Sequence, residues 1–412
     1  MRESLLLVEQ GKAQQAFDRL AAVEPERAGD PDFDTVLGIA ANETGQFTRA
    51  VFALERVLTV QPANSRARAE LGRALFSLGD NQAARQVLQE TKRDGIPPEA
   101  ARKIDEFLQA IDRNEEAARS SIRGYLEAGI GRDSNINSGP TNANVAVPAL
   151  GGLVLTLGPT SVKLKDTFYS VGAGISGRYV VDPRLSLIAG VSGGYRFNND
   201  YNDFDTRQFD LNVGASYKVD KNEYTVAAQA GAFAADNHPV RNQWGVVGEW
   251  THRPDAASQW TTYLQLSTLR YPGQTLRDAD RYVIGTSYAT AFRSGLLAFG
   301  GVYAGTENER SAGVPHLGHR LAGLRAGLQQ SVNADVDVFA NMGYEVRRYG
   351  GVDPLFLVTR RDQQTSLNLG LTWVPVVNWR ITPQLSLLKT NSNIAISEFS
   401  KQVLSVTVRR DF

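Results

Sequence analysis

The chain has 412 residues with 44 basic and 44 acidic side chains, so no bulk charge draws it to nucleic acid, and a hydrophobic share of 42% is that of a folded protein. It contains no cysteine, which excludes disulfides, thiolate metal sites and cysteine nucleophiles. No apolar run approaches the roughly 18–20 residues that a membrane-spanning helix requires, so any passage through a bilayer would be made by strands.

Met1-Arg2-Glu3 followed by Ser4–Val8 is too short an apolar stretch for a signal peptide; a secreted chain is expected to begin here after processing, or with an added Met. Residues 1–119 read as repeating helices. Gly11, Gly45 and Gly79 stand 34 residues apart, as do Ala16, Ala50 and Ala84, and Leu20, Leu54 and Leu88, with Gly38 and Gly72 a further pair. The period and residue types resemble the tetratricopeptide repeat, with Leu37-Gly38, Ala41, Ala50, Leu54 and Pro62 in the places of its packing residues. On that resemblance Gly38, Gly45, Ala50, Leu54, Gly72, Gly79, Ala84 and Leu88 let successive helices approach closely, and Pro62 ends a helix. The first repeat is incomplete, with Ser4 at the position of Gly38. Such repeats stack into a short superhelix whose concave face binds peptides or extended segments, unless the module is only a spacer. Pro97-Pro98 then opens a charged amphipathic helix, Glu99 to about Arg119, with Ala101, Ile104, Leu108 and Ile111 on one side to cap the solenoid.

From residue 120 onward the period changes. In Gln208–Val219 the apolar positions are Phe209, Leu211, Val213, Ala215, Tyr217 and Val219, and the residues between them are polar or small. Period two gives a strand with one apolar and one polar wall. The pattern recurs in Ile122–Arg132, Tyr169–Val181, Leu185–Phe197, Tyr224–Ala234, Tyr282–Phe292, Val336–Val346, Thr365–Trp373 and Leu404–Phe412. Tight turns at Asp182–Arg184, Asp220–Asn222, Pro254–Ser258, Arg293–Gly295, Asn333–Asp335 and Pro375–Asn378 alternate with longer loops. Those loops are Asn198–Thr206, Ala235–Asn242, Tyr271–Asp280, Glu307–His319, Tyr349–Arg361 and Thr390–Glu398, and the longest unpatterned segment is Asp133–Asp166. Short turns alternating with long loops predict an antiparallel transmembrane β-barrel of about fourteen strands over 120–412, with both its ends on the turn side and the helical domain therefore in the periplasm.

A soluble β-sandwich or propeller is the alternative. Against it stand strands of roughly 10–13 residues, nearer to membrane-crossing length than to the usual soluble strand. Tyr169, Tyr179, Tyr195, Phe197, Trp244, Trp250, Tyr282, Phe292 and Trp373 also fall near strand ends, as an interfacial girdle would. The closing run Leu404–Phe412 ends on an aromatic and resembles the signal that the barrel-assembly machinery reads for insertion.

The whole chain resembles the surface lipoprotein assembly modulators, which join a small periplasmic tetratricopeptide domain to a fourteen-stranded barrel. Gly131-Arg-Asp-Ser-Asn-Ile-Asn137 resembles that family's segment at the end of the first strand, with Arg132 in place of the usual aromatic. The resemblance implies an outer-membrane secretion component whose partners are client proteins or lipoproteins displayed at the cell surface, together with outer-membrane lipid. Polysaccharide-export and plain diffusion porins are the competing readings.

With apolar residues facing lipid, the lumen receives Arg123, Glu127, Arg178, Arg196, Asp210, Lys218, Glu249, Asp337, Glu345 and Arg380, a mixture of signs that implies no strong ion selectivity and could pair internally. The seam between first and last strands would be formed by Ile122, Leu126 and Ile130 opposite Leu404, Val406, Val408 and Phe412, and a client could cross through the lumen or there. Other motifs carry less. Gly172, Gly174 and Gly177 match a dinucleotide fingerprint but lie inside a strand, where a crowded inner wall explains them. His316 and His319 read as a solvated loop pair, with His238 and His252 too scattered to complete a metal site. The oxygen-rich loop Asn198–Asp205 lacks the glycine and distal glutamate of an EF-hand and reads as an exposed polar loop. No enzyme, cofactor or metal is expected.

Overall fold

The computed structural model describes residues 2–117, 120–292 and 294–412, with the side chains of 113–117 left aside. Arg119, Arg293 and Met1, which entered the expectations above, lie outside the described residues. The chain divides into two compact units, Met1–Arg119 and Ser120–Phe412.

The first unit contains α1 (Arg2–Glu9), α2 (Ala13–Arg27), α3 (Pro31–Glu43), α4 (Phe47–Val60), α5 (Ser65–Ser77), α6 (Asn81–Arg93) and α7 (Pro98–Ala117). Helices α3, α5 and α6 begin on side-chain caps. Asp30 accepts from the amides of Asp32 and Phe33 ahead of Pro31, and Asn64 accepts from Ala67. Ala16, Ala50, Leu54, Ala84 and Leu88 are wholly buried in the helix interfaces. The glycines of the 34-residue ladders split into two jobs. A Cβ on Gly38 would stand 2.5 Å from Leu54 Cγ, and one on Gly72 2.6 Å from Leu88 Cγ, so these two are contact positions. Gly45 and Gly79 instead sit in turns at φ of +75° and +85°, with open space where a Cβ would go; they end helices rather than pack them. Asp34, fully buried, accepts from Arg56 at 2.6 and 3.0 Å and from the Gly29 amide at 2.8 Å, tying α3 to α4. The Asp34 carboxylate in turn holds the Arg56 guanidinium above its ordinary pKa.

The second unit opens with β1 (Ser121–Asp133) and a hairpin, β2 (Asn144–Val147) with β3 (Leu153–Thr156). There follow β4 (Asp166–Val180), β5 (Leu185–Asn198), β6 (Thr206–Val219), β7 (Asn222–Ala235), β8 (His238–His252), β9 (Ser258–Arg270) and β10 (Ala279–Ala291). The series ends with β11 (Leu296–Glu309), β12 (His319–Ser331), β13 (Val336–Val352), β14 (Thr359–Val376), β15 (Trp379–Ser392) and β16 (Phe399–Asp411). Strands β4 to β16 pair in sequence order, and β1 lies between β16 and β4, closing a fourteen-strand antiparallel barrel. Among the described residues no helix is long and apolar enough to cross a membrane; the barrel is the spanning architecture.

Three local expectations change. Asp133–Asp166 is not structureless, because it carries the β2–β3 hairpin, whose Val145 packs against Phe356 and Ile394 from two other loops. Ala235–Asn242 is not a long loop: β7 and β8 meet in a two-residue turn, Asp236-Asn237, with φ of +47° and +59°, a conformation that Asp and Asn tolerate and that suits a hairpin's twist. The strands are also longer than expected, reaching 17 and 18 residues in β13 and β14, since they run past the apolar band.

Candidate functional site: the barrel lumen

Register decides which side chains share a wall. Across β1 and β4, Arg123 faces Ser176, Tyr125 faces Gly174 and Glu127 faces Gly172, and this row continues around every strand. That wall is the concave one, because its side chains bond across an intervening strand. Tyr303 on β11 donates to Glu345 on β13 at 2.7 Å, Gln265 on β9 to Gln229 on β7 at 3.1 Å, and Arg196 on β5 meets Asp133 on β1 at 2.7 Å. On a convex face, residues two strands apart splay beyond about 10 Å. The pairing places Arg123, Glu127, Arg178, Arg196, Asp210, Lys218, Glu249, Asp337, Glu345 and Arg380 all on this inner wall. Ile122, Leu126, Ile130, Leu404, Val406, Val408 and Phe412 all lie on the outer one, as do eight of the nine aromatics of the expected girdle, while Phe292 sits in the turn after β10.

The inner charges bond to one another in patches. At the turn end Glu223 meets Arg253 at 2.8 Å and Arg178 at 3.7 Å, while Arg409 reaches Asp411 at 2.9 Å and Glu127 at 3.7 Å. Arg380 meets Asp411 at 3.2 Å. Asp210 accepts from Gln208, Glu249 from Thr251, and Asp337 from Ser331 and Gln329. Arg123 and Lys218 are exposed in the lumen with no such bond among the described residues. Halfway along, a wall pocket of about 400 Å³ is lined by Tyr125, Ser176, Asp210, Asn212, Gln229 and Gln243. Gly174 makes room for the Tyr125 ring there, since a Cβ would stand 2.5 Å from Tyr125 Cε1, and Gly172 does the same for Glu127. The third glycine of that fingerprint, Gly177, faces outward with nothing nearer than 3.7 Å, so inner crowding does not account for it.

The seam is closed by pairing. β1 bonds to β16 from Tyr125↔Asp411 to Asp133↔Val403, and Gly124 and Phe412 exchange backbone bonds at 3.2 and 2.8 Å. At the loop end the Gly131–Asn137 segment pins the first loop. Asp133, fully buried, pairs with Arg196 and with Lys401 at 2.8 Å, and Asn135, also fully buried, donates to the Gly139 and Ser400 carbonyls. Asn137 donates to Thr160 and Val162. This motif is therefore a clasp between β1, β5, β16 and the first loop. Lys401, its third charge, was missed in the sequence because nothing local marks it.

In the loop Asn198–Asp205 the carboxylates are engaged locally: Asp205 accepts from Asn198 N at 2.7 Å and Tyr195 Oη at 3.1 Å, and Asp166 accepts from the amides of Asp200 and Tyr201. Among the described residues no three His, Asp or Glu side chains are grouped to hold a metal ion. His319 departs from its expected place. It is the first residue of β12, stacks on Tyr349 at 5.0 Å and lines a cavity of about 490 Å³ at the loop end of the lumen, together with His316.

Against known proteins, the model of the family described as surface lipoprotein assembly modifier matches residues 158–412, and a tetratricopeptide repeat model matches residues 41–102. The former covers β4 to β16 and leaves β1 with its clasp outside. Surface lipoprotein assembly modifier 1 of Haemophilus influenzae is 22% identical over 385 residues, which is 91% of this chain and 76% of the relative. The hemophilin secretion modulator of Acinetobacter baumannii is 22% identical over 348 residues, 80% of this chain and 68% of the relative. Among solved structures the outer membrane channel DcaP of A. baumannii aligns with a TM-score of 0.42 at 9% identity over 71% of this chain and 97% of that one, a likeness too slight to bear on function.

Proposed function

Because this chain belongs to the surface lipoprotein assembly modifier family, we propose that it delivers client proteins, surface lipoproteins or small secreted proteins, to the outside of a Gram-negative outer membrane. The observation that carries the reading is the union of a tetratricopeptide solenoid with a closed barrel whose inner wall gathers the polar and charged side chains and whose outer wall is largely apolar. The relatives named for surface lipoprotein assembly and for hemophilin secretion support the class of client. β1 starts and β16 stops at the turn end, which faces the periplasm in outer-membrane barrels, so the solenoid is assigned there. In that place its concave face receives the client, and insertion of the barrel is assigned to the barrel-assembly machinery acting on the Phe412 end. The role is non-catalytic: the barrel supplies a passage or a guiding wall, and the client's own folding outside supplies direction.

The test is deletion of the chain in its host, followed by protease shaving of intact cells and detection of small secreted proteins or lipoproteins encoded beside it. Loss of the client from the surface, restored by the wild-type chain, is the expected result. A client still displayed in the deletion strain sinks the proposal. In the same cells, a protease site inserted between α6 and α7 should be cut only after the outer membrane is permeabilised; cutting in intact cells overturns the orientation.

A further inference from the structure

The cavity beneath the loops holds more positive charge than its carboxylates neutralise. Arg241 on β8 and Arg281 on β10 reach it from the inner wall, and Arg277 enters from the loop after β9. Neither Arg241 nor Arg281 makes a hydrogen bond or ion pair among the described residues, and Arg281 Nε is buried without any partner. Arg277 bonds only to the neutral amide of Gln274, at 2.9 Å. The acids lining the same space are largely engaged elsewhere. Glu345 is taken by Arg347 at 2.5 Å and by Tyr303 at 2.7 Å, and Asp353 accepts from the amides of Leu355 and Phe356 in its own loop. Among the described residues the Glu307 side chain makes no hydrogen bond or ion pair, and it lies between Arg281 and His319 in the register. Three uncommitted guanidinium groups thus face one uncommitted carboxylate.

Two cations of the cavity lie over aromatic rings. Arg277 lies over the Tyr271 ring at 4.7 Å, and Arg360, already paired with Asp362, lies over Tyr349 at 4.7 Å, with His319 stacked on that same tyrosine. His319 Nδ1 is buried and unpartnered. A buried donor left without an acceptor is costly, and an unpaired guanidinium more so, so an acceptor that fills the pocket and reaches Arg281 Nε is stabilising. Guanidinium forks fit the two oxygens of a carboxylate or phosphate group, and about 490 Å³ is within the range of small-ligand pockets.

We propose that this cavity is a binding site for a small multivalent oxyanion, a polycarboxylate or phosphate, held inside the lumen by Arg241, Arg277 and Arg281. The inner-wall placement of Arg241 and Arg281 separates it from the phosphates of the surrounding lipid, and the site does not depend on the secretion reading. It gives the loop end of the lumen an anion preference.

The experiment is titration calorimetry on the full chain in detergent at low ionic strength, with inorganic phosphate and citrate as separate probes, because screening weakens such sites. Saturable binding of at least one probe is expected, weakened about tenfold or more in Arg281→Gln and again in Arg241→Gln, which sits on another strand. Arg184→Gln in a turn at the opposite end serves as the control and should bind as the wild type does. The heat-modifiable gel shift of a folded barrel is recorded for each variant, and the two arginine variants are compared only where it persists. Preference for citrate assigns polycarboxylate, preference for phosphate the other source. Absence of saturable binding by both, or binding unchanged in both folded arginine variants, overturns the proposal.

Discussion

The helical unit and the barrel use the same apolar residue types in opposite ways. Leu54 is buried completely among neighbouring helices, whereas Leu404 on β16 is 61% exposed on the outer wall. Water is the solvent that drives Leu54 inward, so the solenoid's stability resides in close packing. The barrel turns most of its large apolar side chains outward and gathers its polar bonds inside, among a few inward rings such as Phe299 and Phe339. In the first unit a side chain matters through the cavity it would leave; in the second it matters through which wall it occupies.

Truncating the same residue in the two units is the strongest way to break this contrast. Leu54→Ala should cost about 2–5 kcal/mol, because the site is enclosed and cannot collapse freely. Leu211→Ala, on the outer wall of β6 at 42% exposure, leaves no enclosed cavity and should cost less than about 1 kcal/mol. Hydrogen exchange on the detergent-solubilised chain reads both. Amides of α3, α4 and α5 should lose protection in Leu54→Ala, while β5, β6 and β7 hardly change in Leu211→Ala. Equal losses in the two variants would show that the barrel is also packed from within.

Adjacent residues of one strand sharpen the same point. Val213 faces outward in mid-strand and Asn212 inward beside the wall pocket, where Asp210 lies close. Val213→Arg should destabilise the barrel by about 2–4 kcal/mol if it sits near the middle of the lipid layer, and Asn212→Arg should be tolerated. Folding into vesicles, followed by the gel mobility of unheated samples, distinguishes them. Inversion of the order would turn the barrel inside out.

The features legible in the sequence are those set by short-range periodicity. Alternation over Gln208–Val219 requires only that a strand have two faces, and the 34-residue ladders only that identical helix pairs stack, so both domains and the strand number followed. Gly45 was misread as packing because a ladder marks recurrence, not cause; its positive φ becomes evident only with the chain in place. The Asp236-Asn237 turn was hidden by the polar residues His238, Arg241 and Asn242, which continue β8 above the apolar band while resembling a loop. His319 and Arg281 stand 38 positions apart, and the chain places them in one cavity only because β10 and β12 both flank β11. Nothing local could mark that juxtaposition.

The smallest expected effect separates two caps of the solenoid that look alike. Asp30 caps α3 and Asn64 caps α5, each by accepting backbone N–H bonds, and Asn64→Ala should cost about 1 kcal/mol. Asp30 differs by carrying a titratable group: the Arg27 guanidinium, and after it the Phe33 amide, hold its carboxyl below the ordinary value. A carboxyl with a depressed pKa in the folded state adds stability that is fully present above its unfolded value of about 3.9 and is lost as pH falls through the lower folded value. The first turn of α3 should therefore lose amide protection, relative to intrinsic exchange, between about pH 4 and still more acid conditions, while the first turn of α5 responds less. Asp30→Asn keeps an acceptor at the cap and removes the titration, so its first turn should respond to acid less than the wild type does. An unchanged acid response in Asp30→Asn would place the sensitivity elsewhere.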